Sequence, residues 1–338
     1  MKQKKRLSLL AVTVLLVFVI ALSSFLYLNS QINSEKPVQI DVAYSPFEST
    51  ALFWVAQEQG YFRQNGLNIT LHKYDTGAGA LTGVINGEAD VVVGTTEFPL
   101  AIQALNRQSI QTFASMSQSN FVYLVGRADR GIAEVSDLKG KTIGTTFGTI
   151  SHYFLGRFLT LNDIKLGEIT LVDLKTPQEW VDAVVNGSID AVATAQPSVE
   201  LAKNGLGANA VVWNLQSNQP LYAQVIASKN WLIEHPELCV RFLKALYQAE
   251  KFVADQPSEA KAIVKRQLNF SDAYIETVWQ QNQFSLSLSM PLILAMESEA
   301  RWLISNHLTR TSALPEFIDY AYKEGLTSVK PGAVDIIP

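Results

Sequence analysis

One alternation of strand-like and helix-like segments occurs twice along this chain, and that recurrence leaves few folds open. Val38, Ile40, Val42 and Tyr44 alternate with Gln39, Asp41 and Ala43 at the period of a strand, and Ala51 to Gln59 reads as a helix. Leu67 to Tyr74 is a second strand, followed by a glycine-rich turn, a helix through Ile85 and the apolar strand Ala89 to Gly94. The second unit runs through a capped turn at Ser136 to Gly140, strand Lys141 to Thr146, helix Ser151 to Leu161, and strands Ile169 to Leu174 and Ile189 to Thr194. Strand–helix–strand units of this kind predict mostly parallel sheets flanked by helices. A short repeat marks the recurrence. Asn86-Gly87-Glu88-Ala89-Asp90 returns as Asn186-Gly187-Ser188-Ile189-Asp190, 100 residues later, with Gly ending a helix and Asp leading into a strand.

The last third reads as helical. Pro236 opens a helix whose Leu238, Phe242, Leu246, Ala249 and Val253 fall on one face, and amphipathic stretches continue from 258 to 325. At the other end, Lys2, Lys4, Lys5 and Arg6 precede an apolar run from Leu7 to Leu28, the layout of an export signal. Ala21-Leu22-Ser23 offers a cleavage site, yet the 22-residue run is also long enough to span a bilayer, so residues 1–28 read as a signal peptide or a membrane anchor. The polar stretch 29–37 reads as a linker. The expected location is the periplasm or the outer face of the cytoplasmic membrane.

Composition narrows the partners. With 48% hydrophobic and 17% charged residues the chain can fill two cores, and the single Cys239 permits no internal disulfide. Without residues 1–23, which hold four basic groups and no acid, the net charge moves from −4 to −8, which argues against nucleic acid as a partner. No Gly-x-Ser-x-Gly elbow or phosphate-binding P-loop is present, and the four histidines lie at least 72 residues apart. The sequence therefore points to no catalytic residue, metal or cofactor.

Four loops carry the candidate site. Asp75-Thr76-Gly77-Ala78-Gly79 and Gly148-Thr149-Ile150-Ser151-His152 each open a helix, where free backbone N–H groups suit an anion. Gly94-Thr95-Thr96-Glu97 and Thr194-Ala195-Gln196 each end a strand, and ligands in open α/β sheets bind beyond the carboxyl ends of strands. The candidate solute-binding residues are Ser45, Thr76, Gly77, Gly79, Thr95, Glu97, Thr149, Ser151, His152 and Gln196. If Glu97 faces the cleft, the ligand should carry an amino or cationic group as well as an acid.

On Asp137-Leu138-Lys139-Gly140-Lys141-Thr142-Ile143-Gly144, the run Gly148 to Leu155, the Asn-Gly-x-x-Asp turn at 186–190 and Ser228 to Leu238, the chain resembles the solute-binding proteins of nitrate-, sulfonate- and taurine-type ABC transporters, a group that also includes thiamine-precursor binders. The family often shows Gly-Ser-x-x-His-Tyr-Phe-Leu at that helix start. Where sulfonate binders have Trp-Asp-Pro, this chain has Ala195-Gln196-Pro197. The resemblance implies a two-lobed, type II periplasmic-binding-protein fold, with lobe I from 38–122 and 222–338, lobe II from 123–221, and hinges near Tyr123 and Leu221. It also implies a monomer that captures a small anionic or zwitterionic solute and delivers it to ABC permease subunits. The alternatives are a membrane-anchored sensing module acting through a partner protein, and an enzyme on the same fold.

Overall fold

The structure, a computed structural model, describes residues 36–336. The first unit comprises β1 (Val38–Tyr44), α1 (Ala51–Glu58), α2 (Tyr61–Gln64), β2 (Leu67–Lys73), α3 (Gly77–Ile85), β3 (Val91–Thr95), α4 (Glu97–Leu105) and β4 (Ile110–Ser119). The second comprises β5 (Val122–Arg127), β6 (Thr142–Thr145), α5 (Ile150–Leu161), β7 (Thr170–Asp173), α6 (Pro177–Asn186), β8 (Ala191–Ala195), α7 (Ser198–Leu206) and β9 (Ala210–Asn214). Then follow β10 (Leu221–Ser228), α8 (Lys229–Glu234), α9 (Pro236–Asp255), α10 (Pro257–Leu268), α11 (Asp272–Trp279), β11 (Asn282–Ser287), α12 (Met290–Ser305) and α13 (Glu324–Val329).

Two sheets result, ordered β11-β4-β10-β3-β1-β2 and β7-β6-β8-β5-β9. The fold is a two-lobed α/β arrangement, as the resemblance implies. The expectation of mostly parallel sheets needs correction, because both are mixed. β1 and β3 run parallel, as do β6 with β7 and β8, but β10 opposes β3 and β4, β11 opposes β4, and β5 opposes β8 and β9. The cause is the path of the chain. It passes from the first sheet to the second after β4 and returns after β9, and the first strand after each passage runs against its new neighbours. The helical tail also needs correction, since β11 adds an edge strand inside it.

The repeated Asn-Gly-x-x-Asp turn has a structural role in both copies. Gly87 and Gly187 take φ of +77° and +81°, the left-handed conformation that ends α3 and α6. Asp90 Oδ2 then accepts the N–H of Asp41 at 2.8 Å, and Asp190 Oδ2 accepts the N–H of Thr142 at 2.9 Å. Each aspartate thus ties the strand it begins to the strand beside it.

Packing follows the hydrophobic pattern. Leu238, Phe242, Leu246, Ala249 and Val253 of α9 are all buried, and the Phe242 ring sits 4.9 Å from Phe62 and 6.0 Å from Phe113. Burial of each such side chain contributes roughly 1.5–3 kcal/mol. A smaller core of Val184, Ile189, Val192, Val199 and Ala202 lies under α6 and α7. The apolar run 7–28 and most of the linker 29–37 lie outside the described residues. Among the described residues no helix is long and apolar enough to cross a membrane.

Candidate functional site

The four loops singled out by sequence stand at the carboxyl ends of β2, β3, β6 and β8 and at the starts of the helices that follow them. In the first sheet, Ser45 is fully buried and donates its hydroxyl to the Gly94 carbonyl at 3.3 Å, joining the ends of β1 and β3. Gly77 lies directly against that strand end. A Cβ on it would stand 2.6 Å from the Gly94 carbonyl oxygen and 2.7 Å from Thr95 Cα, so only glycine lets the helix begin so close. Thr76 is the N-cap of α3, its hydroxyl accepting the N–H of Gly79 at 3.1 Å. That bond satisfies the Gly79 donor internally and leaves the N–H groups of Gly77 and Ala78 at the helix end.

The start of α5 is built differently. Thr149 occupies the N-cap position with extended backbone angles, but its hydroxyl turns back to donate to the Thr146 carbonyl at 2.7 Å. The first-turn N–H groups of Ile150 and Ser151 therefore have no side-chain cap, and Ser151 is half-buried beside them. His152 is buried, stacked on Phe147 at 4.8 Å and edge-on to Trp302 at 5.1 Å. Burial pushes its imidazole down to about 4, against the weaker upward pull of Asp173, so it is neutral near pH 7. It can offer a hydrogen bond to a ligand, but no charge.

Thr95 and Thr145 occupy equivalent places, each after a glycine at the carboxyl end of a strand, and each hydroxyl is buried without a hydrogen-bond partner among the described residues. Thr194 Oγ1 on β8 is in the same condition. Gln196 is buried, its side-chain oxygen 3.4 Å from the N–H of Glu200 at the limit of a hydrogen bond. Sequence reading missed Thr145, although the duplicated Gly-Thr-Thr of 94–96 and 144–146 is a signal that could have found it.

Glu97 begins α4 and is fully buried. Its Oε2 accepts the N–H of Tyr222 at 2.8 Å, while Oε1 has no such donor. Beside it lies Glu299 of α12, also fully buried, whose two carboxyl oxygens have no hydrogen-bond partner among the described residues. Burial raises both well above the usual carboxylate range, and the neighbouring Glu97 raises Glu299 further. No spacing in the sequence marks Glu299; the packing of α12 against α4 brings it here. The same helix joins the two halves, because Phe98 stacks on Tyr153 at 5.7 Å, both rings meet Trp302, and the Tyr153 hydroxyl lies 3.1 Å from Ser298 Oγ. The loop after β3 and the helix after β6 thus meet at one place.

Comparison with known proteins bears on what such a place is for. The family profile described as NMT1/THI5 like matches residues 48–260, more than half of the chain. The chain belongs to the NMT1/THI5 like family. Within reach of it, YtlA of Bacillus subtilis is 24% identical over 279 residues, covering 80% of this chain and 82% of that protein. The taurine-binding periplasmic protein of Escherichia coli is 29% identical over 218 residues, covering 63% of this chain and 66% of that protein. In structure, the alkanesulfonate-binding protein SsuA of Xanthomonas axonopodis pv. citri, bound to MOPS, superposes with a TM-score of 0.73 at 18% identity over 86% of this chain and 100% of that one. That superposition, at so low an identity, shows a common fold and nothing more.

Proposed function

We propose that this NMT1/THI5-like protein is the extracytoplasmic solute-binding component of an ABC transporter, taking a small anionic or zwitterionic solute between its two lobes. One observation carries the reading: buried hydrogen-bonding groups at the carboxyl ends of β3 and β6 stand without partners among the described residues. Thr95 and Thr145 supply such hydroxyls, and the uncapped start of α5 supplies N–H groups. A sulfonate or carboxylate, with several acceptor oxygens, answers those donors. The taurine-binding relative and the sulfonate-binding neighbour in structure support the same reading.

The ten residues from Ser45 to Gln196 named from the sequence are the proposed contacts, with Thr145 added. The lobes divide at 38–122 plus 222–338 and at 123–221, and the passages between β4 and β5 and between β9 and β10 act as the hinge. Gln216 stitches those passages, donating to the Ser119 carbonyl at 2.9 Å and accepting the N–H of Val122 at 3.0 Å. Capture without chemistry fits the state of the reactive groups. Burial pushes the Cys239 thiol up to about 12 and holds His152 neutral.

The test is the thermal midpoint of the purified protein against sulfonates, taurine, nitrate, carboxylates and pyrimidines. A selective rise identifies the ligand class, since only a compound that prefers the folded state raises it. Turnover of a bound compound, or no rise with any of them, would sink the proposal.

A further inference from the structure

The Glu97 and Glu299 pair gives the site a feature beyond anion capture. Both side chains are fully buried, and apart from the Tyr222 N–H on Glu97 Oε2, three of their four carboxyl oxygens receive no hydrogen bond from any donor group among the described residues. Two adjacent carboxyl groups fully buried inside a fold cannot both stay ionised, so the pair holds at least one proton. The groups facing it bring no counter-cation. Tyr222 comes from β10 with Asp335 beyond it, and Tyr153 comes from α5 with Arg157 beyond it. Arg157 is engaged with the Gln216 carbonyl at 3.0 Å, and His152, against Trp302, is neutral. A second kind of group points to a missing partner at the same strand end. The Thr95 hydroxyl, 1% exposed and two residues before Glu97, also lacks one.

Resting on the reading of this chain as a solute-binding protein, we propose that Glu97 and Glu299 form the seat for a primary ammonium group. The solute would then be a zwitterion whose acid end meets the start of α5. An ammonium carries three N–H donors in a compact head, and the pair offers three open oxygens. The exchange balances: the ammonium enters, one carboxyl proton leaves to solvent, and the net charge of the seat is unchanged. Both carboxyl groups stand on α4 and α12 while the anion donors stand on α5, so one zwitterion would span the two sides. The packed rings of Phe98, Tyr153 and Trp302 exclude water beside the pair, which strengthens the charge contact.

Calorimetry on the whole protein with taurine and ethanesulfonate, which share a sulfonate and differ in the amine, tests this. Taurine should bind about tenfold tighter or more, as expected for hydrogen bonds to charged groups. Its binding should release a proton, read from the dependence of heat on buffer ionisation, and should tighten from about pH 6 to about pH 8, while its amine keeps its own proton. Glu299→Gln and Glu97→Gln should each remove the preference for taurine, read as the ratio of the taurine and ethanesulfonate dissociation constants falling to about one, as expected when the charged hydrogen bonds to the amine are lost. β-Alanine and propionate form the matching carboxylate pair. Equal affinity for the amine and non-amine members of both pairs, or tighter taurine binding without proton release, would overturn the proposal. Absence of binding by every anion in the panel would overturn the solute-binding reading, and this proposal with it.

Discussion

Gly77 and Gly79 lie two residues apart in the first turn of α3, yet adding one methyl group to each should have different results. A Cβ at Gly77 would meet backbone on the neighbouring strand, 2.6 Å from the Gly94 carbonyl oxygen and 2.7 Å from Thr95 Cα. Relief to ordinary contact at 3.4 Å requires the helix start and the end of β3 to separate by about 0.8 Å. Neither partner is a flexible side chain, and β3 is held between β1 and β10. Overpacking of this kind costs about 1–3 kcal/mol. At Gly79 the nearest atom is the Thr76 hydroxyl, 3.2 Å away, a side chain that can give slightly. There the gain in helix propensity, up to about 1 kcal/mol, offsets a weakened cap. Gly77→Ala should therefore lower the unfolding free energy by about 1–3 kcal/mol, and Gly79→Ala should leave it within about 0.5 kcal/mol. Urea denaturation, with the midpoint moving and the slope constant, measures both. Equal effects at the two positions would refute the claim that the strand end, and not helix propensity, dictates glycine at 77.

Three further outcomes follow from buried groups. Burial raises Glu48 from 4.5 to about 7, against the downward pull of backbone and of the Tyr274 and Asn282 side chains. The unfolded chain gives up this proton first as pH rises through that window, so stability falls across it by about 3 kcal/mol, and Glu48→Gln should flatten the fall between about pH 5 and about pH 7.5 in urea titrations. A Cβ at Gly156 would stand 2.7 Å from Trp302 Nε1 of α12, a contact between the proposed lobes. The helix-propensity gain of Gly156→Ala is common to open and closed forms and cancels, so the clash should weaken ligand binding about five- to 100-fold, as seen by calorimetry, with a change in unfolding free energy smaller than the loss in binding energy. Gln216→Ala leaves the Val122 N–H and the Ser119 carbonyl without their partner inside the fold and should cost about 2–3 kcal/mol in the same denaturation assay; an unchanged midpoint would deny that Gln216 holds the two crossings together.

The helix-flanked units were legible because their signals are local. Alternating Val38 to Tyr44, the capped helix start at Thr76, the proline-opened helix start at Pro236, and Asn-Gly turns at 86–87 and 186–187 each fix a short stretch of backbone through neighbours in the sequence. What the local pattern hid is β4, whose Ile-Gln-Thr-Phe-Ala-Ser-Met-Ser-Gln-Ser is almost wholly buried although six of its ten residues are polar. Its hydroxyls are accommodated by partners far away in the chain. Ser117 donates to the Ser49 carbonyl at 3.0 Å and Thr112 to Gln224 at 2.7 Å, so period-two hydrophobicity never develops. The same holds for β11 and for the direction of β5 and β10, which depend on where the chain crosses between sheets.

For the site, the sequence by itself determined which loops could receive an anion, because glycines, threonines and helix starts act through their own backbone. It also determined that Glu97 stood among them. Only the tertiary structure decided what Glu97 faces. Glu299, about 200 residues later, reaches it because α12 packs between α4 and α5, with Trp302 set against Gly156 and Phe98. The protonation of a carboxyl group depends on the charge and water around it, and those are properties of packing, not of neighbours in sequence.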